Sequence, residues 1–240
     1  MTLRTQQRQW NQLGHADPFW AVLSDPTKRE GGWNEEEFFA TGRLEVQELM
    51  RTVKALGYPR FYSAAMDFGC GVGRLTLALA DWFDQVTGVD ISPSMIERAR
   101  CFDGTGGRCH FLLNDSADLR QMPDCAFDLI YSRITLQHVP ARYARRYIAE
   151  FIRVLRPRGI AVFQVPSRLR SSSRISRLGY RLNLFARRTI RRDPLVFEMY
   201  GVPRETVERD LAKAGAKLLD ARLDDSAAPE WVGYRYFVTK

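Results

Sequence analysis

The sequence contains few residues of the types that bind metals, form disulfides or cross membranes. Its 240 residues include four cysteines and three histidines, and no two cysteines have the spacing of a zinc-binding or redox pair. We therefore expect reduced thiols and no metal site. The longest strand-like apolar stretch, residues 160–165, is far shorter than the ~20 residues of a membrane-spanning helix. The first residues also lack the apolar stretch of a signal peptide, so the sequence predicts a soluble, cytoplasmic protein.

Acidic residues and lysine are absent between Arg168 and Arg192, where nine arginines occur. The whole chain has a net charge of +8, whereas the residues outside this segment include 27 basic and 28 acidic side chains. All of the excess positive charge therefore lies in one short segment. Apolar residues within the segment recur at helical spacing, which is typical of a basic amphipathic helix.

The order of the predicted elements indicates one α/β domain over residues 1–240. It divides into a helical N-terminal extension (1–58), a core (59–166), a basic insertion (167–202) and a C-terminal helix with strands (203–240). The predicted strands are 64–68, 85–90, 108–113, 127–131, 159–165, 217–223 and 234–238. The predicted helices are 35–56, 75–83, 93–100, 140–155 and 203–214. Because strands and helices alternate, we expect a mainly parallel sheet that is covered on both faces.

A glycine-rich turn follows the first predicted strand. The stretch Asp67-Phe68-Gly69-Cys70-Gly71-Val72-Gly73 leads from this strand into a helix. Glycine has no Cβ, so the backbone of such a turn can approach a ligand closely. Free N–H groups at the start of the helix would point at the same ligand. The turn therefore predicts a ligand-binding site at the carboxyl edge of the sheet.

Polar side chains follow the second and third predicted strands. Asp90 ends the second strand, so in a parallel sheet its carboxylate lies beside the glycine turn and can accept hydrogen bonds from a ribose diol. The stretch Asn114-Asp115-Ser116-Ala117 ends the third strand at the same edge. A polar group there suits the amino group of an adenine.

Five motifs in this order resemble those of the class I S-adenosylmethionine-dependent methyltransferases. They are Asp67-Phe68-Gly69-Cys70-Gly71-Val72-Gly73, Val86-Thr87-Gly88-Val89-Asp90-Ile91-Ser92, Asn114-Asp115-Ser116-Ala117, Phe127-Asp128-Leu129-Ile130-Tyr131 with Leu136-Gln137-His138-Val139, and Leu155-Arg156-Pro157-Arg158-Gly159. The resemblance is close over about residues 61–166 and looser in the C-terminal strands. It implies an α/β, Rossmann-like fold: a seven-stranded, mostly parallel sheet with an antiparallel last strand. It also implies methyl transfer from S-adenosylmethionine to an oxygen, nitrogen or carbon atom of a small-molecule or lipid-linked acceptor.

The resemblance implies roles for residues around the glycine turn. Gly69, Gly71 and Gly73 would pass under the methionine part of the cofactor, which Asp67 would help to orient. Tyr131-Ser132-Arg133-Ile134 would lie under the sulfonium and toward the acceptor, so Ser132 and Ile134 are also expected to contact the cofactor.

The resemblance implies a second group of contacts to the nucleoside part of the cofactor. Asp90 would hold both ribose hydroxyls, and Ile91 would pack on the adenine. Asp115 would accept a hydrogen bond from the adenine amino group, with Ser116 beside it.

His138 is the candidate general base on the acceptor side. It follows the fourth predicted strand, and histidine titrates near neutral pH. A base is needed only where the acceptor must lose a proton, as a hydroxyl does. The alternative is that His138 caps the helix that begins at Pro140.

Two other functions stay open. A nicotinamide-dependent oxidoreductase also has a glycine turn, but its G-x-G-x-x-G motif requires glycine at position 74, where this chain has Arg74. Its sheet would also lack the antiparallel last strand. The other alternative is a non-catalytic protein that binds the cofactor or a membrane surface, which a closed pocket beside Ile134 and His138 would favour.

The arginine segment has the position of a lid over the acceptor. It could pack on its own domain with solvated arginines, or contact an anionic membrane or an acidic acceptor. The protein would then lie peripherally on the inner face of a membrane. A nucleic-acid partner is disfavoured because no added RNA-binding module is recognisable.

Overall fold

The computed structural model describes residues 1–170 and 198–240. Most of the predicted basic insertion of residues 167–202, and nearly all of the arginine segment, lie outside the described residues. The predictions of a lid and of membrane contact through this segment therefore stay predictions.

The described residues form a seven-stranded sheet with the strand order β3-β2-β1-β4-β5-β7-β6. The strands are β1 (Ala64–Phe68), β2 (Gln85–Asp90), β3 (Cys109–Leu113), β4 (Phe127–Ser132), β5 (Leu155–Leu169), β6 (Lys217–Asp224) and β7 (Trp231–Thr239). Strands β1 to β5 pair in parallel, whereas β7 is antiparallel to both of its neighbours. This topology confirms the predicted fold, and it is inconsistent with the dinucleotide-binding sheet of the nicotinamide alternative.

Helices cover both faces of the sheet and its carboxyl edge. They are α1 (Leu3–Ala16), α2 (Pro18–Val22), α3 (Glu35–Ala55), α4 (Arg74–Leu79), α5 (Pro93–Cys101), α6 (Ala141–Val154) and α7 (Arg204–Lys213). Local signals set several of their starts. The Ser92 hydroxyl accepts a hydrogen bond from the Met95 N–H at the start of α5. Asn34 caps α3 in the same way, and three glutamates favour the positive end of the helix dipole.

Several predicted boundaries are wrong, including the end of β5 at Leu169 and the start of β7 at Trp231. Helix α4 ends at Leu79 rather than at residue 83, because the backbone N–H groups of Asp84 and Gln85 already bond to the strand-side carbonyls of Tyr62 and Ser63. Strand β5 begins at Leu155 rather than at residue 159. The expected turn before it is a bulge inside the strand, where Arg158 has a φ of 66°.

The core consists of one apolar layer on each face of the sheet. Alternate residues of β4 point to opposite faces, so Ile130 packs with α6 and α7 whereas Leu129 packs with α3, α4 and α5. Helix α6 contributes an apolar stripe that includes Phe151, which is fully buried. These layers fix the strand ends, and they leave the carboxyl edge free to carry polar groups.

The N-terminal extension folds over that carboxyl edge. Phe38 of α3 is fully buried and stacks on Phe19 of α2, with ring centroids 4.5 Å apart. Helix α1 is held to α5 because the Asn11 side chain accepts from the Ser94 N–H at 2.9 Å and Arg98 donates to the Gly14 carbonyl at 2.9 Å. Helices α1 and α2 therefore lie above the strand ends that carry the predicted site.

Candidate active site

A cavity of about 650 Å³ lies at the carboxyl edge of β1, β2 and β4. Its wall is formed by α1, α2, the glycine turn, the ends of β2 and β3, the loop after β4, Met199, and residues 226–230 between β6 and β7. The chain reverses its direction of strand addition between β1 and β4, and ligands of open α/β sheets bind at such points. The volume is in the range of sites for small molecules.

The glycine turn needs glycine at two positions that line the cavity. Gly69 and Gly71 have φ values of 83° and 53°, which favour glycine. A Cβ at Gly69 would lie 2.2 Å from the Thr135 side chain. Gly73, in contrast, does not line the cavity: it begins α4 with a φ of 88°, and a Cβ there would lie 3.2 Å from the Phe111 ring.

Asp90 lines the cavity and also fixes the shape of the glycine turn. Its Oδ2 accepts a hydrogen bond from the Gly71 N–H at 2.9 Å, and its Oδ1 accepts from the Ser92 N–H at 2.8 Å. Burial raises the pKa of this carboxyl, and the backbone hydrogen bonds oppose that shift. Ile91 lies beside it in the wall. The carboxylate can therefore accept hydrogen bonds from a pair of ligand hydroxyls.

Asp67 does not line the cavity. Its side chain is buried under the glycine turn, where Oδ2 accepts from the Thr76 hydroxyl at 2.7 Å. Burial raises the pKa of Asp67 to about 7, against the effects of Thr76 and Arg74. The structure therefore places Asp67 as a brace between β1 and α4. Its predicted role in orienting the cofactor stays a prediction.

Asn114 lines the cavity at the end of β3, whereas Asp115 is exposed and lies outside the lining. The Asn114 N–H donates to the Asp90 carbonyl at 2.8 Å, so Asn114 continues the pairing of β3 with β2. Ser116 also lies outside the lining, and its carbonyl accepts from the Tyr147 hydroxyl. The structure thus brings Asn114, rather than the predicted Asp115 and Ser116, to the cavity wall.

The end of β4 contributes one structural residue, and the loop after it contributes one that lines the cavity. Ser132 is fully buried, and its hydroxyl donates to the Phe68 carbonyl at 3.0 Å, which joins β4 to β1. Ile134 lines the cavity and has a φ of 58°. The pocket beside Ile134 is therefore open, which is not the closed pocket that the non-catalytic alternative predicts.

His138 also lines the cavity. Its ring meets the edge of Trp10 at a centroid distance of 5.3 Å, and its Nε2 lies 3.1 Å from the Gln137 side-chain nitrogen. Burial lowers the pKa of His138 to about 4, although a backbone hydrogen bond with Glu198 acts in the opposite direction. Helix α6 begins after Pro140 without a side-chain cap at that residue. His138 is therefore a neutral side chain that faces the cavity.

A buried charge cluster joins α3 to the site, and nothing in the local sequence pattern indicates it. Glu45 accepts from the Tyr131 hydroxyl at 2.9 Å, lies 2.8 Å from Arg74 Nη2 and lies 3.0 Å from Arg133 Nη1. Burial raises the pKa of Glu45, but the two arginines outweigh it and hold the pKa below its ordinary value.

The acceptor end of the cavity is closed by segments that are distant in the sequence. Gln6 of α1 donates to the His138 carbonyl at 2.5 Å. Residues 226–230 form the opposite wall. Arg170 holds that loop through its ion pair with Asp225 and a 2.9 Å hydrogen bond to the Pro229 carbonyl.

Residues 1–170 and 198–240 contain no group of three or more His, Cys, Asp or Glu side chains that could hold a metal ion. Over the same residues, no helix combines the length and apolar character needed to cross a membrane.

The sheet topology, with the glycine turn and Asp90 at adjacent strand ends, defines the fold of class I methyltransferases. Residues 66–163 match the family model described as a methyltransferase domain. Over these residues, which are less than half of the chain, the sequence is therefore similar to methyltransferase domains.

Relatives with assigned activities match part of the chain. A trans-aconitate 2-methyltransferase of Enterobacter sp. (strain 638) is 38% identical over 116 residues, which are 47% of this chain and 43% of that protein. The O-methyltransferase cnsE of Penicillium expansum is 34% identical over 131 residues, or 53% of this chain and 46% of that protein. The chain thus spans less than half the length of these relatives.

Solved structures resemble the chain over a greater length. The magnesium protoporphyrin IX methyltransferase of Synechocystis PCC 6803, solved with bound SAH, has a TM-score of 0.65 and is 17% identical, with 99% of each chain covered. A methyltransferase of Methanosarcina mazei has a TM-score of 0.59 at 22% identity and covers 78% of this chain. Likeness at these identities supports the fold alone.

Proposed function

We propose that the chain transfers a methyl group from S-adenosylmethionine to a small-molecule acceptor. The observation that carries this proposal is a single cavity that joins a nucleoside-binding set of residues to an acceptor chamber. Its wall contains Asn114, Asp90 and the glycine turn at one end, and Trp10 and His138 at the other.

The residues of the cavity fit the parts of this cofactor in order. Neighbouring strands lie about 4.8 Å apart, so the order β3-β2-β1-β4 sets four groups side by side. Asn114 after β3 suits an adenine, and Asp90 at the end of β2 suits a ribose. The glycine turn after β1 suits a sulfonium, and the loop after β4 suits the remaining amino-acid part. Asp90 has a second lone pair on each oxygen for ribose hydroxyls, because the backbone bonds occupy only one. Gly69 and Gly71 leave the space that a Cβ would fill.

S-adenosylmethionine supplies an electrophilic methyl group on a positively charged sulfur. Displacement at such a carbon requires the acceptor atom to be in line with the departing sulfur, so the protein mainly aligns the two molecules and excludes water. Helices α1 and α2 exclude water from above the strand ends, since Trp10, Trp20 and Val22 line the cavity there.

His138 is proposed as the group that accepts a proton from an acceptor hydroxyl. It faces the cavity, and the low pKa keeps it unprotonated at neutral pH. The same low pKa makes it a weak base. It therefore assists an acceptor whose proton leaves readily, and it is dispensable for an acceptor that is already ionised.

The acceptor is proposed to be a small molecule, because several similar proteins are named for small-molecule acceptors. Those names include trans-aconitate, a phytyl hydroquinone and magnesium protoporphyrin. An acidic or lipid-linked acceptor, and peripheral contact of the protein with a membrane, remain proposals that depend on the arginine segment between Arg168 and Arg192. A nucleic-acid partner is disfavoured, because the sequence has no recognisable added RNA-binding module.

The first test is a calorimetric titration of the purified protein with S-adenosylhomocysteine, with NADH and NADPH in parallel. We expect one-to-one binding of S-adenosylhomocysteine alone. Binding of a dinucleotide, or of none of the three, would contradict the proposal. Release of S-adenosylhomocysteine during incubation with carboxylic-acid and hydroxyl acceptors would then identify the acceptor class.

A further inference from the structure

Arg133 places positive charge in the wall of the cavity. It follows β4 directly, it lines the cavity, and 24% of its side chain is exposed. Arg74, the other arginine of the cluster, also borders the cavity, but its side chain is only 4% exposed. Arg133 is therefore the member of the cluster that a ligand can reach.

Arg133 has no carboxylate to itself among the described residues. Arg74 and Arg133 share the single carboxylate of Glu45. Asp224 also acts on Arg133 electrostatically, but its carboxylate already lies 2.5 Å from Arg235. Asp67 also acts electrostatically on Arg74, so Arg133 is the arginine of the cluster whose nearby carboxylates, Glu45 and Asp224, are both shared with another arginine. A charge in a partly closed site is costly unless it meets an opposite charge, so the arrangement favours an anionic ligand group.

The position of Arg133 indicates which part of a ligand it meets. Asp90 ends β2, and Arg133 follows β4, with β1 between them. Two strand spacings separate these positions, or about 10 Å. The loop after β4 also touches the glycine turn, since a Cβ at Gly69 would collide with Thr135. A ligand whose ribose lies at Asp90 and whose sulfur lies over the glycine turn therefore reaches Arg133 with its amino-acid end.

We propose that Arg133 binds the carboxylate of the amino-acid end of S-adenosylmethionine, with Glu45 as the residue that positions its guanidinium group. This inference depends on the proposed function, because it assumes that cofactor. Glu45 contacts Nη1 of Arg133, and Arg133 Nε has no hydrogen-bond partner among the described residues. A planar guanidinium that is held on one side can present its remaining nitrogens to a carboxylate.

The experiment compares two ligands that differ in the amino-acid end. S-adenosylhomocysteine carries it, whereas 5′-methylthioadenosine has the same nucleoside and sulfur without it. For Arg133→Gln we expect S-adenosylhomocysteine to bind about 10- to 100-fold more weakly by calorimetry, as loss of a charge-assisted hydrogen bond implies. Binding of 5′-methylthioadenosine should change by no more than about twofold. Arg133→Lys, which keeps the charge without the planar fork, should fall between the parent and Arg133→Gln.

Arg153→Gln is the matched control. Arg153 is similarly exposed, at 29%, and pairs with Glu150 at 2.8 Å, but it lies outside the cavity lining. Its substitution should leave both affinities unchanged. Equal weakening of both ligands in Arg133→Gln, or no weakening of S-adenosylhomocysteine, would overturn the inference; the latter would assign any carboxylate at Arg133 to the acceptor instead.

A measurement on the parent protein keeps the inference testable if Arg133→Gln does not fold. The decarboxylated analogue of S-adenosylhomocysteine keeps the amine and lacks only the carboxylate. We expect it to bind about 10-fold or more weakly than S-adenosylhomocysteine. Equal affinity would overturn the role of Arg133, whereas failure of the parent to bind any of these ligands would instead overturn the proposed function.

Discussion

The two ends of the cavity are built in different ways. The cofactor end consists of a turn and two strand ends that lie within residues 67–114, and backbone hydrogen bonds from Gly71 and Ser92 to Asp90 hold it together. The acceptor end is assembled from α1, the loop after β4, Met199 and the loop between β6 and β7. Side chains such as Gln6 and Arg170 hold these distant segments in place.

This difference explains what the relatives can and cannot indicate. The family match covers residues 66–163, which include the whole cofactor end but neither α1 nor the loop of residues 226–230. Loops on a fixed scaffold can vary without loss of the fold. The cofactor end is therefore common to proteins with different acceptors, and the acceptor must be sought in the segments outside the match.

The largest effect is expected where one side chain supports both ends. Glu45 is buried with two arginines, and removal of one partner of a buried ion pair leaves an uncompensated charge. Glu45→Ala should lower the free energy of unfolding by about 3–5 kcal/mol in urea denaturation. Glu48→Ala on the same helix removes an exposed ion pair with Arg51. It should change the free energy of unfolding by less than about 0.5 kcal/mol. Equal effects would show that the cluster does not join the two ends.

The next largest effect is expected on ligand affinity, when a residue of the cofactor end is replaced and compared with an exposed residue nearby. Asp90→Ala should weaken S-adenosylhomocysteine by about 10- to 100-fold, since charge-assisted hydrogen bonds contribute roughly 1.5–3 kcal/mol each. Asp115→Ala is the paired variant, because Asp115 is exposed and lies outside the cavity lining. We expect little change there. If calorimetry showed a large loss of S-adenosylhomocysteine affinity for Asp115→Ala, Asp115 would contact the adenine as the motif implies.

The same contrast decides how much the sequence could predict. The seven-stranded, mostly parallel sheet and its antiparallel last strand were implied by the family resemblance and are confirmed. Asp90 and the two glycines of the cavity wall lie where the motifs place them, because their geometry depends on neighbours in the chain. Sequence alone does not show which residue is the last to pair with β2, so it does not show that Asn114 rather than Asp115 lines the cavity.

The remaining features depend on tertiary contacts that no local pattern carries. Glu45 is one of many glutamates on an amphipathic helix until folding brings Arg74 and Arg133 to it. The closure of the cavity by α1 and by residues 226–230 joins the two ends of the chain. The length of α4 was wrong for a related reason, since sheet pairing at Asp84 ended the helix early.

A smaller effect tests whether the shape of the turn matters beyond its backbone conformation. Gly69→Ala and Gly215→Ala both introduce a Cβ at a positive φ, but only the first would meet another side chain, at 2.2 Å. Both should therefore lose about 1–2 kcal/mol of stability from the backbone. Gly69→Ala should lose about 1–3 kcal/mol more stability through the collision with Thr135, and it should also weaken the binding of S-adenosylhomocysteine. Equal losses in thermal denaturation would contradict the proposed close contact between the turn and the loop after β4.

The smallest effect concerns the acceptor end and should be absent at neutral pH. Burial lowers the pKa of His138 to about 4, below the ~6.5 of an unfolded chain. As pH falls between these values, the unfolded state takes up a proton that the folded state does not, so this group removes stability on the acidic side and contributes nothing above ~6.5. His138→Gln should therefore lose less stability than the parent between pH 7 and pH 5.5, by on the order of 1 kcal/mol in urea denaturation. A constant difference across that range would mean that His138 is protonated as readily in the folded protein as in the unfolded chain. Water would then reach the acceptor end more readily than the structure indicates, and His138 would be a stronger base than expected for a buried histidine.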